Sequence, residues 1–376
     1  MRRFIGISSN ALLIALFAYA APAHALTIID TFSGSVTGNP NAAQIETAIQ
    51  SASQAIASLY ANPFTVTINY QLMSGGLGGS SQNLYATSYA NYTQALRRDF
   101  LANPSNTALG SAVANLSKGN DALGQTPIAL TSSLVDALGL GNVSAGGTVY
   151  LNSSLMYFGS GAVPGNLYSA TAVIQHEIDE ILGGGGAGTL LGTPYQGSYY
   201  GPLDLYRYNP ATGAPSYTSS SASLAYFSVN GGQTPLTLFN QTGRGDYGDF
   251  YGACFIQNYT GCPGHTPEAF AGSIESVMLQ SIGYDLSSGT TFLNARAEPI
   301  PHGVTLIDPA PTPAPGVGLA GFGVLTVAGA AAKMLEPRRR RRGATADAIR
   351  RLERCVRDAR TPSLDGPREG KFGRVA

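Results

Sequence analysis

Apolar residues recur at helical spacing in NAAQIETAIQSASQAIASLYAN, where Ile45, Ala48, Ile49, Ala52, Ile56 and Leu59 share one face and predict a helix. FTVTINYQL, residues 64–72, then alternates apolar with polar and is β-branched, which predicts a strand. Two further helices are expected in YANYTQALRRDFLA (89–102) and SSLVDALGL (132–140), and another strand in GGTVYLNSSLMYF (146–158). Val173, Ile174, Ile178, Ile181 and Leu182 set the apolar side of a helix that also carries His176, Glu177, Asp179 and Glu180. Glycine-rich loops follow, with a strand-like LAYFSVNGG (224–232) and a last helix within PEAFAGSIESVMLQSIGYDL (267–286). No stretch repeats another.

The pattern changes at both ends. Residues 1–25 join Arg2 and Arg3 to an apolar run and then Ala23-His24-Ala25, the layout of a secretory signal peptide cut before Leu26. From about Asn294 proline accumulates, so residues 293–315 are expected to be a linker. An uncharged run from Gly316 to Ala332 is followed by Arg338 to Arg342, a short membrane span with its basic side held in the cytoplasm. DPAPTPAP (308–315) and the segment 316–342 after it together resemble the PEP-CTERM-type sorting signals of exported Gram-negative proteins, with Pro-Ala-Pro in place of Pro-Glu-Pro. That resemblance implies sorting or processing machinery at the membrane as a partner. It also implies residence in the periplasm, at the cell surface or outside the cell, with a transient or stable C-terminal anchor. Residues 343–376 are charge-dense and poor in apolar side chains, as in a disordered tail.

Those ends hide the charge of the body. The chain is formally neutral, but 14 of its 22 basic residues lie from Lys333 onward and two more in the first three positions. Six basic residues then face 16 acidic ones, a net charge near −10 that excludes nucleic-acid binding. In an exported chain Cys254 and Cys262, within CFIQNYTGC, are expected to form a short-loop disulfide, leaving Cys355 single.

The chemistry gathers at HEIDE. His176 and Glu180, four residues apart, share a helix face and can reach one metal ion, while Glu177 is turned about 100° away and can hold water. Carboxylate oxygen is an ordinary zinc donor at a catalytic site. The helix stops at four glycines, Gly183 to Gly186, which let the chain reverse close by. The competing reading is an amphipathic helix whose acidic face is solvated.

HEIDEILG, GPLDLYRYNP, LAYFSVNGG, TLFNQTGRGDYGDF and SVMLQSIGYDL resemble a family of exported bacterial metalloproteases whose helix reads roughly HEIxEVLG. The earlier IIDTFSGSV and FTVTINYQL fit as well, so the resemblance runs through most of residues 26–286. More distantly the helix is similar to the metzincin motif HExxHxxGxxH. Gly183 matches its glycine, but Glu180 stands for the second histidine and Gly186 occupies the third-ligand position. The resemblance implies a metzincin-like α+β catalytic domain over residues 26–292, with a small twisted sheet and an active-site helix. It implies a zinc-dependent endopeptidase acting on protein or peptide substrates, with Glu177 as general base and His176 and Glu180 as metal ligands. A carboxylate ligand also moves preference toward harder divalent ions.

Asp204 in GPLDLYRY is the first expectation for the third ligand, ahead of Asp246 and Asp249 in GDYGDF, with His265 and Glu275 behind. Asp204 can instead pair with Arg207, and GDYGDF can be a turn or a calcium-like loop. Tyr206 or Tyr200 could support an oxyanion. Met278 could lie beneath the metal, though a core position on the last helix is its ordinary reading. The strand around Val149 to Leu155 is expected to offer an edge to an extended peptide. The non-enzymatic alternative is an inactive surface or matrix protein on a degenerate scaffold, its acidic helix solvated.

Overall fold

The computed structural model describes residues 25–116, 126–287 and 305–307. In chain order they begin with β1 (Thr27–Phe32), α1 (Gly34–Thr37), α2 (Ala42–Leu59), β2 (Thr65–Leu72), β3 (Gly78–Gln82), β4 (Leu84–Thr87), α3 (Tyr89–Ala102) and α4 (Thr107–Asn115). Next come β5 (Ile128–Thr131), α5 (Ser132–Ala137), β6 (Gly146–Leu151), β7 (Met156–Tyr157), β8 (Tyr168–Ser169) and α6 (Ala170–Leu182). The last are β9 (Arg207–Tyr208), β10 (Tyr226–Phe227), β11 (Thr237–Phe239), β12 (Phe250–Tyr251), α7 (Ile274–Ser281) and β13 (Thr305–Ile307). Helices and small separate sheets make this an α+β arrangement.

The principal sheet has the order β1-β2-β6-β3, with β1, β2 and β6 parallel and β3 antiparallel to β6. Alternation in β2 buries Val66, Ile68 and Tyr70, as a strand with one face on the core requires. α2 buries Ile45, Ile49, Ala52 and Ile56, and lies against both β1 and α6. α6 in turn packs on β3 and β6, which carries the acidic helix into the centre of the molecule. The strand at 146–151 is not an edge, because β2 and β3 flank it; β3 holds the edge. β3 reads GGSSQ and has no apolar side chain to announce it, so backbone pairing with β6 makes the strand.

A second sheet, β12-β11-β10-β9, is an antiparallel meander of two- and three-residue strands. Phe227, Phe239 and Phe250 pack edge-on or tilted within it at ring-centroid distances of 5.7 to 5.9 Å. The expected last helix is confined to α7, which starts where the Ser273 hydroxyl caps Ser276 N–H. A third sheet runs β13-β4-β5, so Thr305–Ile307, within the stretch read as linker, pairs antiparallel with β4. The signal peptide but for its last residue, the rest of the linker, the apolar segment 316–342 and the tail 343–376 lie outside the described residues. No helix among the described residues is long and apolar enough to cross a membrane.

Candidate metal centre

α6 begins where Ser169 Oγ accepts from Ala172 N–H and ends in a left-handed residue, Gly183, at φ 102°. Gly183 N–H returns to Glu180 O at 2.9 Å and Gly184 N–H to Asp179 O at 2.8 Å, the paired bonds of a Schellman ending. The chain then folds back over the helix. Eleven of the thirteen α6 residues are buried, Gln175, His176, Glu177, Asp179 and Glu180 among them. The acidic face is therefore interior, not solvated. Carboxylates so placed need opposite charge or protons to remain.

His176, Glu180 and Asp249 each offer a ligand atom within 4.8 Å of the others. His176 Nε2 stands 3.7 Å from Glu180 Oε1 and 3.8 Å from Asp249 Oδ1. Tetrahedral donors at zinc distances lie roughly 3.4 Å apart, so a small contraction would close these three on one ion. The imidazole is also oriented for it. Nδ1 is 2.9 Å from the Ile256 carbonyl, the acceptor that a donating Nδ1–H requires, which leaves Nε2 as the free donor atom. Nε2 has no hydrogen-bond partner among the described residues, nor has either carboxylate oxygen of Glu177 or Asp249. Glu180 is held differently: Ser80 Oγ on β3 donates to Oε2 at 2.6 Å and Gly186 N–H to Oε1 at 3.1 Å.

Close backbone approach makes this possible. A Cβ on Gly78, in β3, would collide with Glu177 Oε1 and fall 2.8 Å from Val173 Cγ1. A Cβ on Gly186 would fall 2.6 Å from both Asp246 Cγ and Glu180 Oε1. Met278 lies under the same turn, where its Sδ accepts from Gly185 N–H at 3.4 Å.

Electrostatics follow from burial and crowding. Burial alone would lower the His176 imidazole, but Asp249, with Glu180 and Glu177, outweighs it and raises the imidazole well above its usual value. Burial first, then the charge of Glu180, pushes the Glu177 carboxyl well up. Asp249 is pushed up to about 8 by burial, against the pull of the imidazolium. Asp246 rises for the same leading reason and through the charges of Glu180 and Asp249. One dication among these groups would replace protons that the metal-free fold has to keep. One nitrogen and two carboxylate oxygens suit a divalent ion, so the donor set fits.

Asp204 does not join this group. Thr189 Oγ1 donates to its Oδ1 at 2.5 Å, while Gly201 N–H and Leu190 N–H reach its Oδ2 at 2.8 and 3.4 Å. Both oxygens are occupied in bracing the loop after α6, and Asp249 supplies the third donor instead. Arg207 stacks 4.2 Å over the Phe239 ring and donates to the Tyr247 carbonyl. Tyr206 spends its hydroxyl on Ser281 O at 2.8 Å, and Tyr200 packs edge-on against Tyr217. His265 is exposed. Glu275 accepts backbone N–H groups behind His176. Ser80, Ile256 and Gln257 carry no motif in the sequence; only the fold brings them to the site.

Cys254 and Cys262 are disulfide-bonded and close the loop that carries Ile256. That loop forms one wall of a small cleft beside His176, with Leu77, Tyr168, Val173 and Phe255 among its lining. No family model, curated protein or solved structure matches the chain.

Proposed function

We propose that the chain is an exported, divalent-metal-dependent hydrolase, a zinc endopeptidase of metzincin-like architecture acting on protein or peptide substrates. The observation that carries this reading is the convergence of His176 Nε2, Glu180 and Asp249 beside a buried carboxylate, Glu177, whose oxygens have no other partner among the described residues. His176, Glu180 and Asp249 would hold the ion. When bound, zinc supplies Lewis acidity, acidifying a water and polarising a carbonyl. Glu177, one residue from the ligand histidine, takes a proton from the attacking water and passes it to the leaving amine. The charge of a bound dication would draw its raised carboxyl back toward ionisation, the state a base needs. The apolar cleft opens beside His176, and the β3 edge, where an extended peptide could pair, lies against the same helix.

The inactive-scaffold alternative assumed a solvated acidic helix, and α6 is buried. Metal content and casein hydrolysis of the purified chain, beside a Glu177→Gln variant, test the proposal. The variant should keep its metal and lose roughly 10²–10⁴-fold in rate. A folded wild-type chain that takes up no metal, or an equally active variant, would sink it.

A further inference from the structure

The histidine of the proposed centre is gripped from behind by two consecutive residues, one through its carbonyl and one through its side-chain amide. His176 Nδ1 meets the Ile256 carbonyl at 2.9 Å, and Gln257 Nε2 donates to the His176 main-chain oxygen at 2.9 Å. Residues 256 and 257 thus hold both the ring and the backbone of His176. They hang in turn from one carboxylate on α7. Glu275 Oε1 accepts from Ile256 N–H at 2.8 Å and from Gln257 N–H at 3.4 Å. The Gln257 N–H and the Ile256 C=O belong to the same trans peptide and point in opposite directions. Fixing the N–H on Glu275 therefore turns the carbonyl toward the imidazole. A carboxylate at the N–H end also strengthens that carbonyl as an acceptor.

We propose that Glu275 is a positioning residue of the metal centre, which fixes the 256–257 peptide and through it the His176 orientation that aims Nε2 at Glu180 and Asp249. This rests on the metal-site reading above and extends it to a side chain that touches neither ion nor substrate. Glu275 is itself buried, in the first turn of a helix packed against α6, so it holds the loop from a rigid element.

The test uses Co2+ as the probe, titrated into the purified chain by visible absorption, with Nδ1–H exchange followed by NMR in the metal-free protein. Glu275→Ala should weaken Co2+ binding by roughly 10–100-fold and speed His176 Nδ1–H exchange at least about tenfold. Glu275→Gln keeps an acceptor oxygen and should restore most of both. It should still move the Nδ1–H resonance upfield, because a neutral acceptor replaces a charged one. Co2+ affinity and exchange within about twofold of wild type in Glu275→Ala would overturn the proposal. If that variant does not fold, an unmoved Nδ1–H resonance in Glu275→Gln overturns it. A wild-type chain that binds no Co2+ defeats the metal-site reading, while the exchange measurement still judges the role of Glu275.

Discussion

Asp249 and Asp204 are both fully buried, and they differ in what their oxygens already do. Asp204 answers a hydroxyl and two N–H groups, whereas neither Asp249 oxygen has a hydrogen bond and its Oδ1 stands 3.8 Å from His176 Nε2. Exchanging each for asparagine should separate the roles. Asp249→Asn removes a charged donor and should abolish stoichiometric metal uptake, measured by elemental analysis. Asp204→Asn puts an amide NH2 against groups that donate, and should cost about 1–3 kcal/mol in denaturant unfolding with metal uptake intact. The opposite pattern would return Asp204 to the site. The sequence could not order these two aspartates. Each stands in a glycine-flanked stretch after the metal helix, and only the return of the chain over Gly185 and Gly186 decides which arrives.

At the scale of elements, α6 is squeezed between the glycine end of β3 and the glycine turn at its own C-terminus. Gly78→Ala should destabilise the fold by about 1–3 kcal/mol and displace Glu177, since the added methyl meets that carboxylate and Val173 together. Gly34→Ala, with nothing within 4 Å of the new atom, is the control that should leave thermal melting and hydrolysis unchanged. Equal melting and equal activity in both would mean that β3 does not shape the site. Elements with a strong period were legible: α2 from its isoleucines, β2 from its alternation, α6 from its apolar stripe. β3 was not, because GGSSQ earns its place through close approach rather than side-chain burial. β10 lies within the strand-like stretch 224–232, but the two-residue strands β9 and β12 escaped for a related reason, being held by aromatic packing between loops. In α6 the same acidic face reads as solvated or interior. Only the elements laid over it settle which.

For the whole molecule, the consequence of so many buried acids is a dependence of stability on pH. Without metal, Asp249 is pushed up to about 8, and Glu177 and Asp246 also lie above the ordinary carboxylate range, all led by burial. Each binds its proton more tightly folded than unfolded. The Asp249 contribution is therefore full below an ordinary carboxyl value near ~4 and is lost as pH rises through about 8, and those of Glu177 and Asp246 fall in the same direction. Melting temperatures in chelator should fall steadily from roughly pH 5 to 9, and added divalent ion should reverse the trend by taking the place of the protons. A chelated chain equally stable at both ends of that range would contradict the assignment. The return of the chain from α6 to Asp249 has a mechanical side as well. An ion gripped by Glu180 and Asp249 ties together positions 69 residues apart. As a cross-link over a loop of that length it constrains the unfolded chain by at most about 4.4 kcal/mol. Its removal should loosen the loop from its far end. Among the described residues, Arg244, exposed two residues before Asp246, is where a new trypsin cut should appear once the metal is stripped.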